Sequence, residues 1–163
     1  MRYHDITKDD MKNGDGLRVV LWVSGCRHRC PGCQNPVTWN PEDGLLFDDG
    51  AKREIEEQLE KPYNSGVTFS GGDPLFPENE EEVTAYCREL KERFPEKTIW
   101  LYTGEVWEDI AGKEIFRFVD VLVDGKFEIE SRDNKLHWRG SDNQRVIAVQ
   151  ESLRCGQAVL YDT

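Results

Sequence analysis

Three cysteines and a histidine lie close together in the segment GCRHRCPGC, residues 25–33. The C-x3-C-x2-C spacing of Cys26, Cys30 and Cys33 allows three thiolates to surround one soft metal centre. One interpretation is zinc with His28 as fourth ligand, although zinc sites typically draw a second ligand pair from a distant part of the chain. The other is an iron–sulfur cluster, which usually has four cysteine ligands. With three, one iron stays open to a substrate or cofactor, as in catalytic metal sites.

A second candidate motif is SGGDP, residues 70–74, with two adjacent glycines before an aspartate. Gly71 and Gly72 lack the Cβ atoms that keep a ligand away from the backbone. The neighbouring carboxylate of Asp73 can then meet a cationic group. The alternative is an ordinary turn in which Asp73 caps the N-terminus of the following helix.

These motifs need a scaffold, and hydrophobic periodicity supplies one. It predicts helices at 51–60, 79–94 and 106–118, and strands at 17–24, 66–70, 98–104, 120–124, 145–150 and 158–161. Strands alternating with helices indicate parallel β/α units. The chain is too short for an eight-stranded barrel, so we expect an α/β fold, either an incomplete barrel or an open parallel sheet. In both, ligands bind at the C-terminal ends of strands. The cysteine segment, SGGDP, YTGE (102–105) and VDGK (123–126) all fall there.

Composition narrows the functional class. Residues 1–163 are expected to form a single domain. The chain has 21 Lys and Arg against 32 Asp and Glu, a net charge of −11. This negative charge argues against direct binding to nucleic acid and against binding to an anionic membrane surface. The sequence shows neither an apolar run of membrane-spanning length nor a signal-peptide pattern at its N-terminus, so we expect a cytoplasmic protein. Cys87 and Cys155, outside the cysteine segment, are expected to be structural thiols.

The combination of motifs resembles a known superfamily. C-x3-C-x2-C at the end of the first barrel strand is similar to the radical S-adenosylmethionine signature, and SGGDP is similar to its GGE-type loop, with Asp in place of Glu. Within that superfamily the chain resembles the anaerobic ribonucleoside-triphosphate reductase-activating proteins. The segments that carry this resemblance are NGDGLR (13–18), WVSGCRHRCPGCQNPVTW (22–39), FSGGDPL (69–75), VDVLVDGKF (119–127) and RGSDNQRVI (139–147).

The resemblance implies a fold, cofactors and an activity. The fold would be an incomplete TIM-like β/α barrel with a parallel sheet, of the radical S-adenosylmethionine type. The cofactors would be a [4Fe–4S] cluster with three cysteine ligands and S-adenosylmethionine on the open iron. The activity would be reductive cleavage of S-adenosylmethionine to a 5′-deoxyadenosyl radical, which makes a glycyl radical on the reductase. Reduced flavodoxin is an expected type of electron donor. The alternatives are activation of another glycyl-radical enzyme, such as pyruvate formate-lyase, or a non-catalytic zinc-binding adaptor.

The resemblance also assigns residues to the cofactors. Gly32 and Gln34, beside Cys33, would pack against adenine, while Gly71, Gly72 and Asp73 would hold the methionine amino group. The other predicted cofactor-binding residues are Ser70, Thr103, Asp124 and Lys126. Asp124 and Lys126 resemble a D-x-K element near the methionine carboxylate or a monovalent cation. The Asp-Thr element that precedes it in related enzymes is Tyr102-Thr103 here, so no cation is predicted.

The remaining candidates have open roles. His28 is expected to pack near the cluster, or else to be a surface histidine. Arg139, Asn143 and Arg145, with Gln144 between them, would bind the ribose or carboxylate of the cofactor or dock the partner. Their alternative is an ordinary charged turn.

Overall fold

Seven strands form one mixed sheet in the computed structural model, which describes residues 1–33 and 35–162. The strands are β1 (Arg2–Asp10), β2 (Leu17–Val23), β3 (Leu45–Leu46), β4 (Asn64–Gly71), β5 (Thr98–Tyr102), β6 (Val121–Asp124) and β7 (Arg145–Ala148). Their order is β3-β1-β2-β4-β5-β6-β7. The four central strands β2, β4, β5 and β6 are parallel, whereas β1, β3 and β7 pair antiparallel with their neighbours. The sheet is open, with β3 and β7 at its two edges.

Three helices lie in the connections between the parallel strands: α1 (Asp49–Leu59), α2 (Pro77–Arg93) and α3 (Trp107–Ile110). A fourth helix, α4 (Val149–Cys155), follows β7, and short 3-10 helices lie at Pro36–Thr38, Glu114–Arg117 and Ile129–Ser131. The side chain of Asp48 caps α1 by accepting a hydrogen bond from the backbone of Ala51. α2 has a proline at its first position, acidic residues in its first turn and basic residues in its last, which complements the helix dipole.

The two faces of the sheet are packed differently. Alternate residues of the central strands, such as Leu21, Phe69 and Leu101, are fully buried in a large apolar core with the helices. On the opposite face a smaller apolar cluster surrounds Trp100 and Val123. That second face also carries polar side chains, and the cavity described below opens there.

The guanidinium of Arg18 fixes the β1–β2 connection against this polar face. Arg18 is fully buried and donates five hydrogen bonds, two of them to the side chains of Thr68 and Thr98 and one to the carbonyl of Asp15. Burial lowers the pKa of Arg18 to about 10. The hydroxyl of Thr68 in turn donates to the carbonyl of Asn13 at 2.7 Å. These hydrogen bonds hold the connection between β1 and β2 against the sheet at Asn13 and Asp15.

The α/β class and most predicted elements are confirmed, with these differences. β1 was not predicted, because charged residues interrupt the alternation in RYHDITKDD. The two-residue strand β3 was not predicted either, because it is too short to show a periodic pattern. Residues 149–155 form a helix instead of extending the last strand. The segment 158–161 makes only an isolated bridge between Leu160 and Ile147. The predicted helix 106–118 is divided between α3 and a 3-10 turn. Within residues 1–33 and 35–162 no helix is long and apolar enough to cross a membrane.

Candidate functional site

A cavity of about 510 Å³ lies at the C-terminal ends of the parallel strands. The loops after β2, β4 and β5 meet there, as expected for parallel α/β sheets. Eleven of the candidate residues from the sequence line it: Cys26, His28, Cys30, Cys33, Ser70, Gly71, Gly72, Asp73, Thr103, Arg139 and Gln144. The fold thus brings the cysteine segment and the SGGDP loop to one site.

Backbone hydrogen bonds shape the cysteine loop. The amides of Gly25 and Cys26 donate to the carbonyls of Thr38 and Trp39, so the loop returns to its starting point. The amide of Cys33 donates to the carbonyl of Cys30, and the amide of Asn35 donates to the Cys33 sulfur at 3.4 Å. Burial raises the pKa of the Cys26 and Cys30 thiols.

The donor set fits an iron–sulfur cluster. Three soft sulfur donors line one cavity, and thiolates are the ligands such clusters use. Among the described residues, no three His, Cys, Asp or Glu side chains converge on a point where one ion would bind. A Cys3His zinc site needs a ring nitrogen of His28 as its fourth ligand. The Nε2 of His28 instead lies 2.7 Å from Asp73 Oδ2, within hydrogen-bond distance.

Asp73 is the centre of the hydrogen-bond network in this cavity. It is 2% exposed and accepts hydrogen bonds from the backbone amides of Leu75 (2.9 Å) and Gly104 (3.0 Å). The hydroxyl of Thr103 lies 2.9 Å from both carboxylate oxygens. With His28, these donors use most of the four lone-pair sites of a carboxylate. The alternative role as a helix cap is wrong, because α2 starts at Pro77 with Phe76 at its N-cap.

Gly71 and Gly72 are required by close packing within the protein. Gly71 has φ +100°, and a Cβ there would lie 2.7 Å from the amide nitrogen of Val23. A Cβ on Gly72 would lie 2.5 Å from the carbonyl oxygen of Gly25. The sequence suggested that the glycines admit a ligand, but the contacts show that they also let the loop after β4 pack against the start of the cysteine loop.

Several predicted cofactor residues are not among the described residues that line the cavity: Gly32, Asp124, Lys126, Asn143 and Arg145. A Cβ on Gly32 would meet the side chain of Ile129, 2.4 Å away. Gln34 lies outside the described residues. The cofactor contacts assigned to these residues stay predictions.

Asp124 and Arg145 bind each other. Asp124 is 1% exposed and also accepts a hydrogen bond from the amide of Trp107 at 2.9 Å. Arg145 reaches beyond it to the exposed Glu108. These hydrogen bonds hold the pKa of Arg145 above its usual value and that of Glu108 below its usual value.

The turn at residues 139–145 is bonded largely to itself. Arg139 donates to the carbonyls of Asp142 and Gln144, while Asn143 donates to the carbonyl of Lys126 at 2.8 Å. The side-chain oxygen of Gln144 accepts from the amides of Gly140 and Ser141. These contacts are those of a structured polar turn, the alternative considered from the sequence, although Arg139 still faces the cavity.

Further residues complete the wall, and they include Lys12, Trp22, Tyr102, Gly104, Phe127 and Trp138. Tyr102 and Gly104 belong to the YTGE segment predicted to lie at the strand ends, whereas Lys12, Trp22 and Trp138 were not named individually as site residues. Trp22, near the end of β2, pairs with Ser70, and Tyr102, at the end of β5, packs against the smaller apolar cluster. Because alternate residues of a strand face the same side, strand alternation could have indicated both. Trp138 adopts φ +63°, and its carbonyl accepts a hydrogen bond from the hydroxyl of Tyr102. No simple pattern in the sequence predicts that conformation.

Comparison with known proteins adds independent evidence. A family model described as a 4Fe-4S single cluster domain matches residues 12–147. An anaerobic ribonucleoside-triphosphate reductase-activating protein of Enterobacteria phage T4 is 49% identical over 146 residues, covering 90% of this chain and 93% of the relative. Proteins of the same name from Haemophilus influenzae and Escherichia coli K12 are 40% and 38% identical over 150 residues, covering 90% of this chain and 97% of each relative. The chain therefore belongs to the 4Fe-4S single cluster domain family and, within it, to the anaerobic ribonucleoside-triphosphate reductase-activating proteins.

Proposed function

We propose that this chain activates an anaerobic ribonucleoside-triphosphate reductase by making a glycyl radical on it, with a [4Fe–4S] cluster and S-adenosylmethionine as cofactors. The observation that carries the proposal is that Cys26, Cys30 and Cys33 line one cavity together with the Gly71-Gly72-Asp73 loop. The names of the relatives indicate the same partner.

Cys26, Cys30 and Cys33 would hold the cluster, and the iron without a cysteine would accept the methionyl group of the cofactor. When bound, these two groups would supply reductive cleavage of the sulfonium C–S bond and a 5′-deoxyadenosyl radical able to take a hydrogen atom from glycine. The cysteine loop would position these ligands, because its backbone hydrogen bonds fix the places of the three thiol groups. The Asn35 amide, directed at the Cys33 sulfur, is the kind of contact that tunes cluster potentials.

The rest of the cavity binds, orients and excludes water. Its volume of about 510 Å³ falls within the range of about 300–1,000 Å³ typical of cofactor sites. Gly71 and Gly72 expose backbone at the wall. Asp73 hydrogen-bonds to the cysteine loop and to the loop after β5, and so joins them to its own loop around the position expected for the amino group of S-adenosylmethionine. Trp22, Tyr102 and Phe127 would cover apolar parts of the cofactor and keep bulk water from the reacting atoms.

The fold supports a finer assignment. The cysteine loop follows the first strand of the parallel set, and helices cover one face while the site opens on the other. We assign this open sheet to the incomplete barrel of the radical S-adenosylmethionine type, formed by a single domain over residues 1–163. A cytoplasmic location and an electron donor such as reduced flavodoxin remain predictions from the sequence.

The test is an electron paramagnetic resonance experiment on anaerobically reconstituted protein mixed with purified reductase, dithionite and S-adenosylmethionine. We expect a glycyl radical signal on the reductase and formation of 5′-deoxyadenosine. A radical signal on pyruvate formate-lyase instead would reassign the partner. A colourless protein that holds zinc and leaves S-adenosylmethionine intact would overturn the proposal.

A further inference from the structure

His28 lies at the junction of three loops. It belongs to the cysteine loop, between Cys26 and Cys30, yet its side chain is only 6% exposed, whereas that of the adjacent Arg27 is 61% exposed. The alternative of a surface histidine is therefore wrong. Its Nε2 lies 2.7 Å from Oδ2 of Asp73, whose side chain is 3% exposed. A carboxylate oxygen accepts hydrogen bonds, so the form of the ring that makes this contact is the one with a proton on Nε2.

Gly104 fixes the position of the His28 ring from the other side. A Cβ on Gly104 would lie 2.6–2.8 Å from three atoms of the ring, so the ring packs directly against the backbone there. The amide of Gly104 also donates to Oδ2 of Asp73, the same oxygen that His28 contacts. The ring and the amide thus hold one carboxylate oxygen between them.

A second carboxylate stands near His28 but is engaged elsewhere. Glu105 Oε1 is 3.9 Å from the His28 Nε2, beyond hydrogen-bond distance, and it pairs with Arg27 at 2.8 Å. The hydrogen bond of His28 is therefore directed to Asp73 alone. This contact joins the loop that carries the cysteines to the loop that carries the glycines.

We propose that His28 is a positioning residue, whose hydrogen bond to Asp73 couples the cysteine loop to the carboxylate that orients the amino group of S-adenosylmethionine. The inference rests on the proposed function and adds a role for one side chain. The side chain of His28 is not a ligand of the cluster, and its replacement keeps the backbone of the cysteine loop, so its loss should weaken cofactor binding and leave the cluster assembled. A hydrogen bond to a charged group of this kind corresponds to a rise in Kd of about tenfold or more.

The experiment compares His28→Leu, which removes the donor, with His28→Gln, which keeps an N–H group within reach of Asp73. Gly104→Ala tests the same contact without replacing His28 or Asp73, because its methyl group must push the ring away. His4→Gln and Gly112→Ala are the matched controls, since His4 lies in β1 and a Cβ on Gly112 meets nothing within 4 Å. The measurements on anaerobic holoprotein are iron and sulfide content, the Kd for S-adenosylmethionine, and the paramagnetic resonance spectrum of the reduced cluster with and without S-adenosylmethionine.

We expect full cluster content in every variant, a Kd raised about tenfold or more in His28→Leu and Gly104→Ala, and partial recovery in His28→Gln. The change that S-adenosylmethionine causes in the paramagnetic resonance spectrum should be smallest in His28→Leu and Gly104→Ala and intermediate in His28→Gln. A wild-type Kd in His28→Leu would overturn the inference, as would loss of the cluster in both His28→Leu and Gly104→Ala, which would make His28 a support for the cluster alone. If the unmodified holoprotein does not bind S-adenosylmethionine at all, the proposed function itself fails.

Discussion

Asp124 and Arg145 form a bidentate ion pair, with Oδ2 to Nη2 at 2.6 Å and Oδ1 to Nε at 3.2 Å. The two residues are direct partners in the antiparallel pairing of β6 with β7. Asp124 is almost fully buried, whereas the side chain of Arg145 is 33% exposed. The pair thus neutralises a buried carboxylate where the edge strand joins the sheet.

We predict that Arg145→Met lowers the free energy of unfolding by about 3 kcal/mol, because it leaves the buried carboxylate of Asp124 without its cation. The partial exposure of Arg145 favours the lower end of the range for broken buried pairs. Denaturation with urea measures the loss, and the Kd for S-adenosylmethionine should not change.

Glu108→Gln is the control for this prediction, because Glu108 is 56% exposed and pairs with the same guanidinium. An exposed pair contributes only about 0–1 kcal/mol. Should Arg145→Met keep its stability and lose affinity for S-adenosylmethionine, the cofactor role predicted from the sequence would be right and the structural role wrong.

Replacing any one of Cys26, Cys30 and Cys33 by alanine should abolish the intact [4Fe–4S] cluster and the activation of the reductase. Each cysteine would bind a separate iron, so no remaining thiolate can take its place. Iron analysis and the visible spectrum after anaerobic reconstitution are the measurements. Cys155→Ala, at an exposed position, should behave as the unmodified protein. Full activity in any one of the three single variants would exclude that cysteine as a ligand.

Local patterns predicted those parts of the site that depend on sequence neighbours. The spacing of Cys26, Cys30 and Cys33 and the position of the SGGDP loop after a strand were enough to place both motifs at one end of the sheet. The hydrophobic runs of β2, β4, β5 and β6 are buried on both faces, so they read clearly as strands.

Contacts between distant residues were not predictable in this way. Asp124 reads as the first residue of a D-x-K element, but the β6–β7 register places Arg145, 21 residues later, directly beside it. The burial of His28 likewise depends on Gly104, which lies in the loop after another strand. Such pairings follow from strand register and loop packing, which the sequence of one segment does not contain.

Cys87 should make the protein less stable in alkali. It is fully buried on α2, and burial raises the pKa of its thiol above the ordinary value of 9.0. The unfolded chain therefore releases this proton first, so the contribution of Cys87 is complete below about pH 9 and declines as the pH rises further. At pH 10 the loss amounts to about 1.4 kcal/mol.

Urea denaturation at pH 7 and pH 10 measures this effect. The loss of stability between the two pH values should be smaller in Cys87→Ala than in the unmodified protein, by about that amount. Cys155→Ala, which changes an exposed thiol, should lose as much as the unmodified protein. An identical loss in all three proteins would mean that Cys87 ionises freely in the folded state.

Arg18→Lys should be strongly destabilising although it preserves the charge. The guanidinium donates five hydrogen bonds from a fully buried position, while an ammonium group has three donors and no planar geometry. At least two acceptors around it would lose their donor, and each buried polar group left unpaired costs about 1–3 kcal/mol. We therefore expect the free energy of unfolding to fall by about 3 kcal/mol or more.

The same substitution should also raise the Kd for S-adenosylmethionine, because Arg18 anchors the connection that carries Lys12 and Asn13 to the cavity. Arg88→Lys is the control, since Arg88 is exposed on α2 and surface substitutions usually change stability by no more than about 0.5 kcal/mol. Urea denaturation and equilibrium dialysis of the holoprotein give the two quantities. If Arg18→Lys matched Arg88→Lys in both quantities, the guanidinium would not be what holds residues 11–16 in place, and the hydrogen bond from Thr68 to Asn13 would have to suffice.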